Sequence, residues 1–240
     1  MLDATIEELR SAALDAADAS GYFPAMYARV TRRIDRAAVA GEFADGAGMV
    51  AFARTFAGWY LRPRSGGAPP PGCWQAAWDV ARDSRLLIVQ HLLLGINAHV
   101  NHDLPQVVVE LADERGDFDG LRPDFEAVNT VLARTMPDVI RDLDRSSRWA
   151  NVAFGLGGGR LFNFSLTAAR DQAWRFAATQ HPLALDDRAA RVAELDEMVR
   201  VLAYVITKPV RPISWLLPIA RRLEDDDPAE VTRHLLGPLA

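Results

Sequence analysis

The fold is decided by the stretch Gln90-His91-Leu92-Leu93-Leu94-Gly95-Ile96-Asn97-Ala98-His99-Val100-Asn101-His102-Asp103-Leu104-Pro105. Three of the chain's five histidines and an aspartate lie in this otherwise apolar run. On a helix at about 100° per residue, His99 and Asp103 lie one turn apart on one face, with His102 beside them. Burying such groups costs several kcal/mol unless they are paired or bound. We therefore predict a buried central helix over 85–104 that carries a site.

Other residues of the stretch divide this helix into faces. Asn97 and Asn101 form a second polar stripe on the opposite side. His91 lies two turns before His99, at the edge of its face, where it can touch solvent. Pro105 lacks the backbone N–H of a regular helix, so we expect the helix to end or kink there. Backbone irregularity beside a polar cluster favours a functional site.

Helical periodicity extends over the rest of the chain, without a convincing strand pattern. Apolar spacings of three and four residues predict helices around 6–14, 23–34, 52–60, 121–143, 163–180, 187–206 and 212–223. The Pro- and Gly-rich stretch 63–73 predicts a surface loop within one domain. We expect a single all-α domain over 1–240, a helical bundle of roughly eight to ten helices around the buried central helix.

Composition excludes several classes of protein. Half of the residues are hydrophobic and a quarter are charged, as in soluble globular proteins. The net charge of −5 argues against nucleic-acid binding. No apolar run reaches the roughly 18 residues of a membrane span, and the acidic N-terminus is unlike a signal peptide, so we expect a cytoplasmic protein. The oligomeric state stays open.

Three further features are interpreted as structural. The single cysteine, Cys73, excludes an internal disulfide and any cysteine-rich metal site, and no activating partner supports it as a nucleophile. The Gly-rich run 155–160 lacks the Lys-Ser/Thr ending of a phosphate-binding loop, which indicates a flexible connection. The acidic run 224–227 is typical of a solvated helix end.

A His-x-x-x-Asp pair on one helical face has three interpretations. His99 and Asp103 could ligate a divalent metal such as zinc. Alternatively, Asp103 could orient the imidazole and make it a general base. The pair could also be a buried polar contact that only fixes helix packing. His102 is a third candidate catalytic residue in this cluster.

A second group of candidates lies in the run Ala169-Arg170-Asp171-Gln172-Ala173-Trp174. A metal needs at least a third protein ligand, for which His102, Asp171 or His181 is available. Arg170 could neutralise an acidic centre or hold an anionic substrate. Because Asp171 and Trp174 share a helical face, we expect Asp171 to point towards His99 and Arg170 to lie at the rim. The candidate substrate-binding residues are Tyr27, Thr31, Trp74, Asn101 and Trp174.

The run 95–105 resembles the signature Gly-Met/Ile-Asn-Ala-His-Ile/Val-Asn-x-Asp-Leu-Pro of an actinobacterial family of unknown function, domain-of-unknown-function family 5995. The run 169–174 resembles that family's second motif, and Tyr27 to Thr31, Phe43 to Asp45 and Trp74 follow in its order, so the resemblance covers roughly residues 20–205. The resemblance implies no activity. His91 lies outside the pattern. The residues that it marks as important are His99, Asn101, Asp103, Arg170 and Asp171.

A looser similarity relates Gly-x-x-x-His-x-x-x-Asp-Leu to the metal-binding helix of the zinc-dependent phospholipase C and S1/P1 nuclease group. Those enzymes carry additional histidines and an N-terminal metal ligand that this chain lacks. The difference argues against a trinuclear zinc cluster and leaves a site of one or two metals.

Three functions follow from these residues. The first is a small-molecule enzyme that uses a divalent metal to hydrolyse an ester or phosphoester. The second is a metal-free acid–base lyase, isomerase or cyclase acting on a natural product, as part of natural-product metabolism. The third is a non-catalytic helical protein that binds a ligand or a partner.

Overall fold

The computed structural model describes residues 1–66, 69–149, 159–209, 211 and 213–237. The fold is all-α, as predicted. No β-strand occurs in the described part of the chain, where the isolated bridge between Ser147 and Glu224 is the one β-type contact. The helices are α1 (Asp3–Leu14), α2 (Tyr22–Val39), α3 (Gly46–Arg64), α4 (Gly72–Asp79), α5 (Ile88–Ile96), α6 (Leu104–Arg115), α7 (Arg122–Leu143), α8 (Gly159–Gln180), α9 (Leu185–Thr207), α10 (Ile213–Arg221) and α11 (Pro228–Leu236).

The central helix differs from the prediction. Between α5 and α6 the chain forms a π-helix over Asn97–Asp103, with a backbone bond from the Leu104 N–H to the His99 carbonyl. The helix does not end at Pro105, which lies in the first turn of α6 directly after the π-helix. The chain therefore stays helical from Ile88 to Arg115. Single π turns inside helices often occur at functional sites.

Most other helices begin and end within a few residues of their predicted positions. Pro63 does not end α3, which runs to Arg64, so the predicted loop at 63–73 reduces to the interval between Arg64 and Gly72. The Gly-rich run 155–160 lies largely outside the described residues. The sequence pattern missed α11, which Asp227 begins by accepting a hydrogen bond from the Ala229 N–H.

The interpretation of 224–227 as a solvated helix end is wrong for its first residue. Glu224 is buried and accepts hydrogen bonds from the Ile88 N–H at 2.9 Å, from Ser147 Oγ at 2.8 Å and from Trp149 Nε1 at 2.9 Å. Glu224 thereby satisfies a backbone donor at the start of α5 that the helix itself leaves free.

Two clusters of buried apolar side chains form the core. One gathers side chains from α1, α2, α4, α5 and α11, and the other is formed largely by α3, α6 and α7. Phe56 of α3 packs against both clusters and stacks on the His99 ring. The π-helix also packs against α4, α8 and α9. The polar residues of the central helix therefore lie where the two clusters meet. No helix among the described residues is long and apolar enough to cross a membrane.

Candidate functional site

Asp103 is the centre of a buried hydrogen-bond network. Its Oδ2 atom lies 3.0 Å from His99 Nδ1 and 2.9 Å from Trp74 Nε1, and its Oδ1 atom lies 2.8 Å from His102 Nδ1. The side chains of Asp103, His99 and His102 are all at most 3% exposed. A fully buried carboxylate is tolerated because three N–H groups satisfy it.

The network fixes the protonation of its members. Burial raises the pKa of Asp103, but the hydrogen bonds from His102 and His99 outweigh burial and hold that pKa below its ordinary value. Burial lowers the pKa of His99, against the opposing effect of Asp103. An ionised Asp103 accepts only, so each histidine donates its Nδ1–H to it. A neutral His99 then carries an unprotonated Nε2.

Aromatic rings surround His99. The Phe56 ring stacks on the imidazole with 3.6 Å between centroids and 6° between planes. Tyr27 and Phe23 meet the imidazole edge-on, with centroids 4.5 Å and 5.4 Å away. His99 Nε2 is buried and has no hydrogen-bond partner among the described residues. Unpaired buried nitrogens are uncommon and call for an explanation such as catalysis or a missing ligand.

His99 lines a cavity of about 100 Å³ between α2, α3, the π-helix, α7 and α8. Most of its wall is apolar, including Phe52, Met136 and Leu132. The polar wall residues are His99, Tyr27, Thr31 and Arg170. Thr31 Oγ1 donates to the Tyr27 carbonyl within α2, so it is already satisfied. The cavity thus suits a compact, largely apolar molecule.

Arg170 contributes a buried cation to this cavity. Its Nε donates to Asn129 Oδ1 at 2.8 Å, its Nη2 donates to the Phe125 carbonyl at 2.6 Å, and its guanidinium lies 4.3 Å from the Phe125 ring centroid. Burial lowers the pKa of Arg170 to about 10, so it stays charged at neutral pH. In the described structure its hydrogen bonds go to uncharged acceptors, which leaves the positive charge available to an anionic group.

The expected orientation of the second motif is reversed. Arg170 is 4% exposed and lines the cavity, whereas Asp171 is half-buried and is absent from the cavity wall. The physical reason is helical geometry, because Arg170 and Trp174 lie one turn apart on the buried face of α8. Trp174 is buried against Phe118 and Phe125 and does not reach the cavity.

Other predicted residues have structural partners elsewhere. Trp74 lies behind Asp103 as a hydrogen-bond donor and not on the cavity wall. Asn101 donates to Asn97, whose Nδ2 donates to the Val199 carbonyl, so the second polar stripe joins the π-helix to α9. His181 Nε2 lies 3.3 Å from Asp113 Oδ1 and is not on the cavity wall.

The predicted metal set does not assemble around His99. His99 Nδ1–H donates directly to Asp103 Oδ2, so these two atoms do not ligate one metal together. Among the described residues, neither His99 nor Asp103 belongs to a group of three metal-ligating side chains whose ligand atoms lie within 4.8 Å of one another. Phe56, which fixes the ring plane of His99, was missed by sequence reasoning, since nothing in its local sequence distinguishes it from other core aromatics.

Comparison with known proteins gives a family and no activity. The model of a family described as a family of unknown function (DUF5995) matches residues 2–209, which agrees with the resemblance of both motifs. No curated protein and no solved structure matches the chain. The looser likeness to the phospholipase C and nuclease group gains no support.

Proposed function

The chain belongs to this family of unknown function, and we propose that it is an acid–base enzyme in which His99, without a metal in the reaction cavity, moves a proton on a small, largely apolar molecule. The reaction class is that of a lyase, isomerase or cyclase. The observation that carries the proposal is the buried, unpartnered Nε2 of His99 in a residue that lines an apolar cavity.

His99 has the features of a positioned general base. Its Nδ1–H is held by Asp103, so the basic nitrogen is Nε2. When Nε2 takes a proton from the substrate, the resulting imidazolium is stabilised by the ionised Asp103. Phe56 and Tyr27 contact the imidazole and fix its ring plane. Asp103 is thus a positioning residue, because it acts through His99.

Arg170 supplies a positive charge for the negative charge that develops on the substrate. Removing a proton from the substrate leaves an electron pair that must be stabilised before the imidazolium returns the proton. The guanidinium of Arg170 lies in the same cavity wall as His99 and can bind an anionic substituent or the developing charge. A carboxylated or enolisable apolar molecule fits this combination of a neutral base and a cation.

A metal-assisted hydrolase has less support from this cavity. His99 Nε2 offers one donor atom, and the described cavity wall contains no aspartate, glutamate or cysteine. A catalytic zinc requires about three protein ligands. A buried arginine in the same wall also repels a second cation.

Nitrobenzisoxazole tests the proposal without knowledge of the natural substrate. This apolar bicyclic molecule opens to a coloured phenolate when a base removes its isoxazole C–H proton. We expect the chain to accelerate the reaction and His99→Gln to lose roughly 10²- to 10⁴-fold of that rate, the usual contribution of a general base. His181→Gln, which changes a surface histidine, is the matched control and should keep the full rate.

The alternative functions give different results. A hydrolase with a metal-bound water would lose the rate after treatment with a chelator. A protein that only binds ligands would show equal rates for the wild type and His99→Gln. Either result contradicts the proposed role of His99.

A further inference from the structure

A second cluster lies on the other side of Asp103 from His99. It consists of Cys73 at the start of α4, His102 in the π-helix and Asp196 in α9. One ligand atom from each residue lies within 4.8 Å of the other two. Cys73 is 1% exposed, His102 is 2% exposed, and Asp196 is half-buried.

Two of these side chains are held in place by other contacts. The Asp196 carboxylate accepts the Gly72 N–H at 2.7 Å and the Cys73 N–H at 2.8 Å. A Cβ atom at Gly72 would lie 2.9 Å from Asp196 Oδ2, so this approach needs a residue without a side chain. His102 donates Nδ1–H to Asp103, which leaves its Nε2 free to act as a ligand.

We propose that Cys73, His102 and Asp196 form a binding site for a divalent transition metal of the zinc class. Thiolate, imidazole and carboxylate are the three ligand types that zinc takes from proteins. The pairing of His102 with Asp103 is an independent observation in favour of a metal, because a ligating histidine usually donates its other ring N–H to a carboxylate. The half-buried Asp196 leaves one side of the cluster open for a water or a further ligand.

This site is separate from the proposed reaction at His99. The two share only Asp103, which accepts one bond from each histidine. Metal binding can therefore be measured whether or not the reaction at His99 exists.

The test uses the full-length chain without a histidine tag, stripped of metal and titrated with Co²⁺. Tetrahedral Co²⁺ reports its ligands through visible bands, and a cysteine thiolate adds a near-ultraviolet charge-transfer band. Because Cys73 is the chain's only cysteine, a thiolate band in the wild type is enough to identify Cys73 as a ligand, without any variant. We expect one Co²⁺ per chain with the thiolate band, and displacement of Co²⁺ by Zn²⁺.

Variants locate the remaining ligands. Cys73→Ser should abolish the thiolate band, and Asp196→Asn should weaken binding. Asp103→Asn should weaken it roughly 10- to 100-fold, the effect typical of a partner that orients a ligand. His234→Gln is the matched control, because His234, Asp225 and Glu230 form the other described group with metal-ligand spacing, and this variant should bind as the wild type does. Absence of Co²⁺ binding, or Co²⁺ binding without a thiolate band in the wild type, would overturn the proposal.

Discussion

Substitution of Asp103 by asparagine or leucine separates the contributions of its charge and its hydrogen bonds. The carboxylate accepts three N–H donors, from His99, His102 and Trp74. An asparagine keeps one oxygen and presents an NH2 group in place of the other. The indole of Trp74 can only donate, whereas a histidine can exchange its tautomer. We therefore expect the amide oxygen to face Trp74 and His99, and His102 to become the acceptor.

The magnitudes follow from this arrangement. Hydrogen bonds to a charged group contribute about 1.5–3 kcal/mol and neutral ones about 0.5–1.5 kcal/mol, and relief from burying a charge offsets part of the difference. Asp103→Asn should therefore lower the free energy of unfolding by about 1–3 kcal/mol. Asp103→Leu leaves the Trp74 donor without any partner and removes both histidine bonds, so it should cost about 3–5 kcal/mol.

Urea denaturation at pH 7, followed by tryptophan fluorescence and by circular dichroism, measures both values. Coincident transitions would justify the two-state treatment. A leucine variant as stable as the asparagine variant, or either variant within about 0.5 kcal/mol of the wild type, would show that the three hydrogen bonds to Asp103 contribute little to stability.

Three other substitutions test neighbouring parts of the structure. Gly95→Ala should destabilise the fold by about 1–3 kcal/mol in urea denaturation, because its Cβ would lie 2.5 Å from the Phe23 ring, and an unchanged stability would contradict that contact. Burial lowers the pKa of His91 to about 4 in the folded state, whereas its ordinary value is 6.5, so between these pH values the unfolded chain binds a proton at His91 that the folded state does not. Neutral His91 therefore costs no stability above pH 6.5, and the free energy of unfolding falls as the pH drops from 6.5 towards 4. In His91→Phe, the loss of unfolding free energy between pH 7 and pH 4 should be smaller than in the wild type by about 2–3 kcal/mol, measured from denaturation curves at the two pH values. Arg170→Met should weaken the binding of naphthoate, measured by calorimetry, far more than the binding of neutral naphthalenemethanol. Equal losses of affinity for the two ligands would show that Arg170 only supports Asn129 and the α7 backbone.

The helices were predictable where an apolar stripe repeats over several turns. The stripe predicted 121–143 for α7, and the structure has Arg122–Leu143. The π-helix was not predictable, because its apolar pattern is that of an ordinary helix and only Pro105 indicated irregularity. The helix α11 was missed because it is short and follows an acidic run. The burial of Glu224 in that run was not predictable either, because Glu224 accepts its hydrogen bond from the Ile88 N–H, 136 residues away.

The site was predictable to the extent that it is local. His99 and Asp103 are one turn apart, so their hydrogen bond follows from helical spacing alone. The inward position of Arg170 depends on tertiary packing, although its spacing from Trp174 already placed both on one face. Asp196 accepts a hydrogen bond from the Cys73 N–H although the two residues lie more than 120 positions apart, and no local sequence pattern links them.

A general base at His99 requires an unprotonated Nε2, and the tautomer of that ring can be observed directly. Long-range proton–nitrogen correlation spectra of the nitrogen-labelled protein at pH 7, assigned with His99→Gln, distinguish the three protonation states of the imidazole. We expect a neutral His99 with the proton on Nδ1 and a nitrogen shift of the unprotonated type at Nε2. A proton on Nε2, in either the other neutral tautomer or the imidazolium, would show that Nε2 is not free to act as the base at this pH.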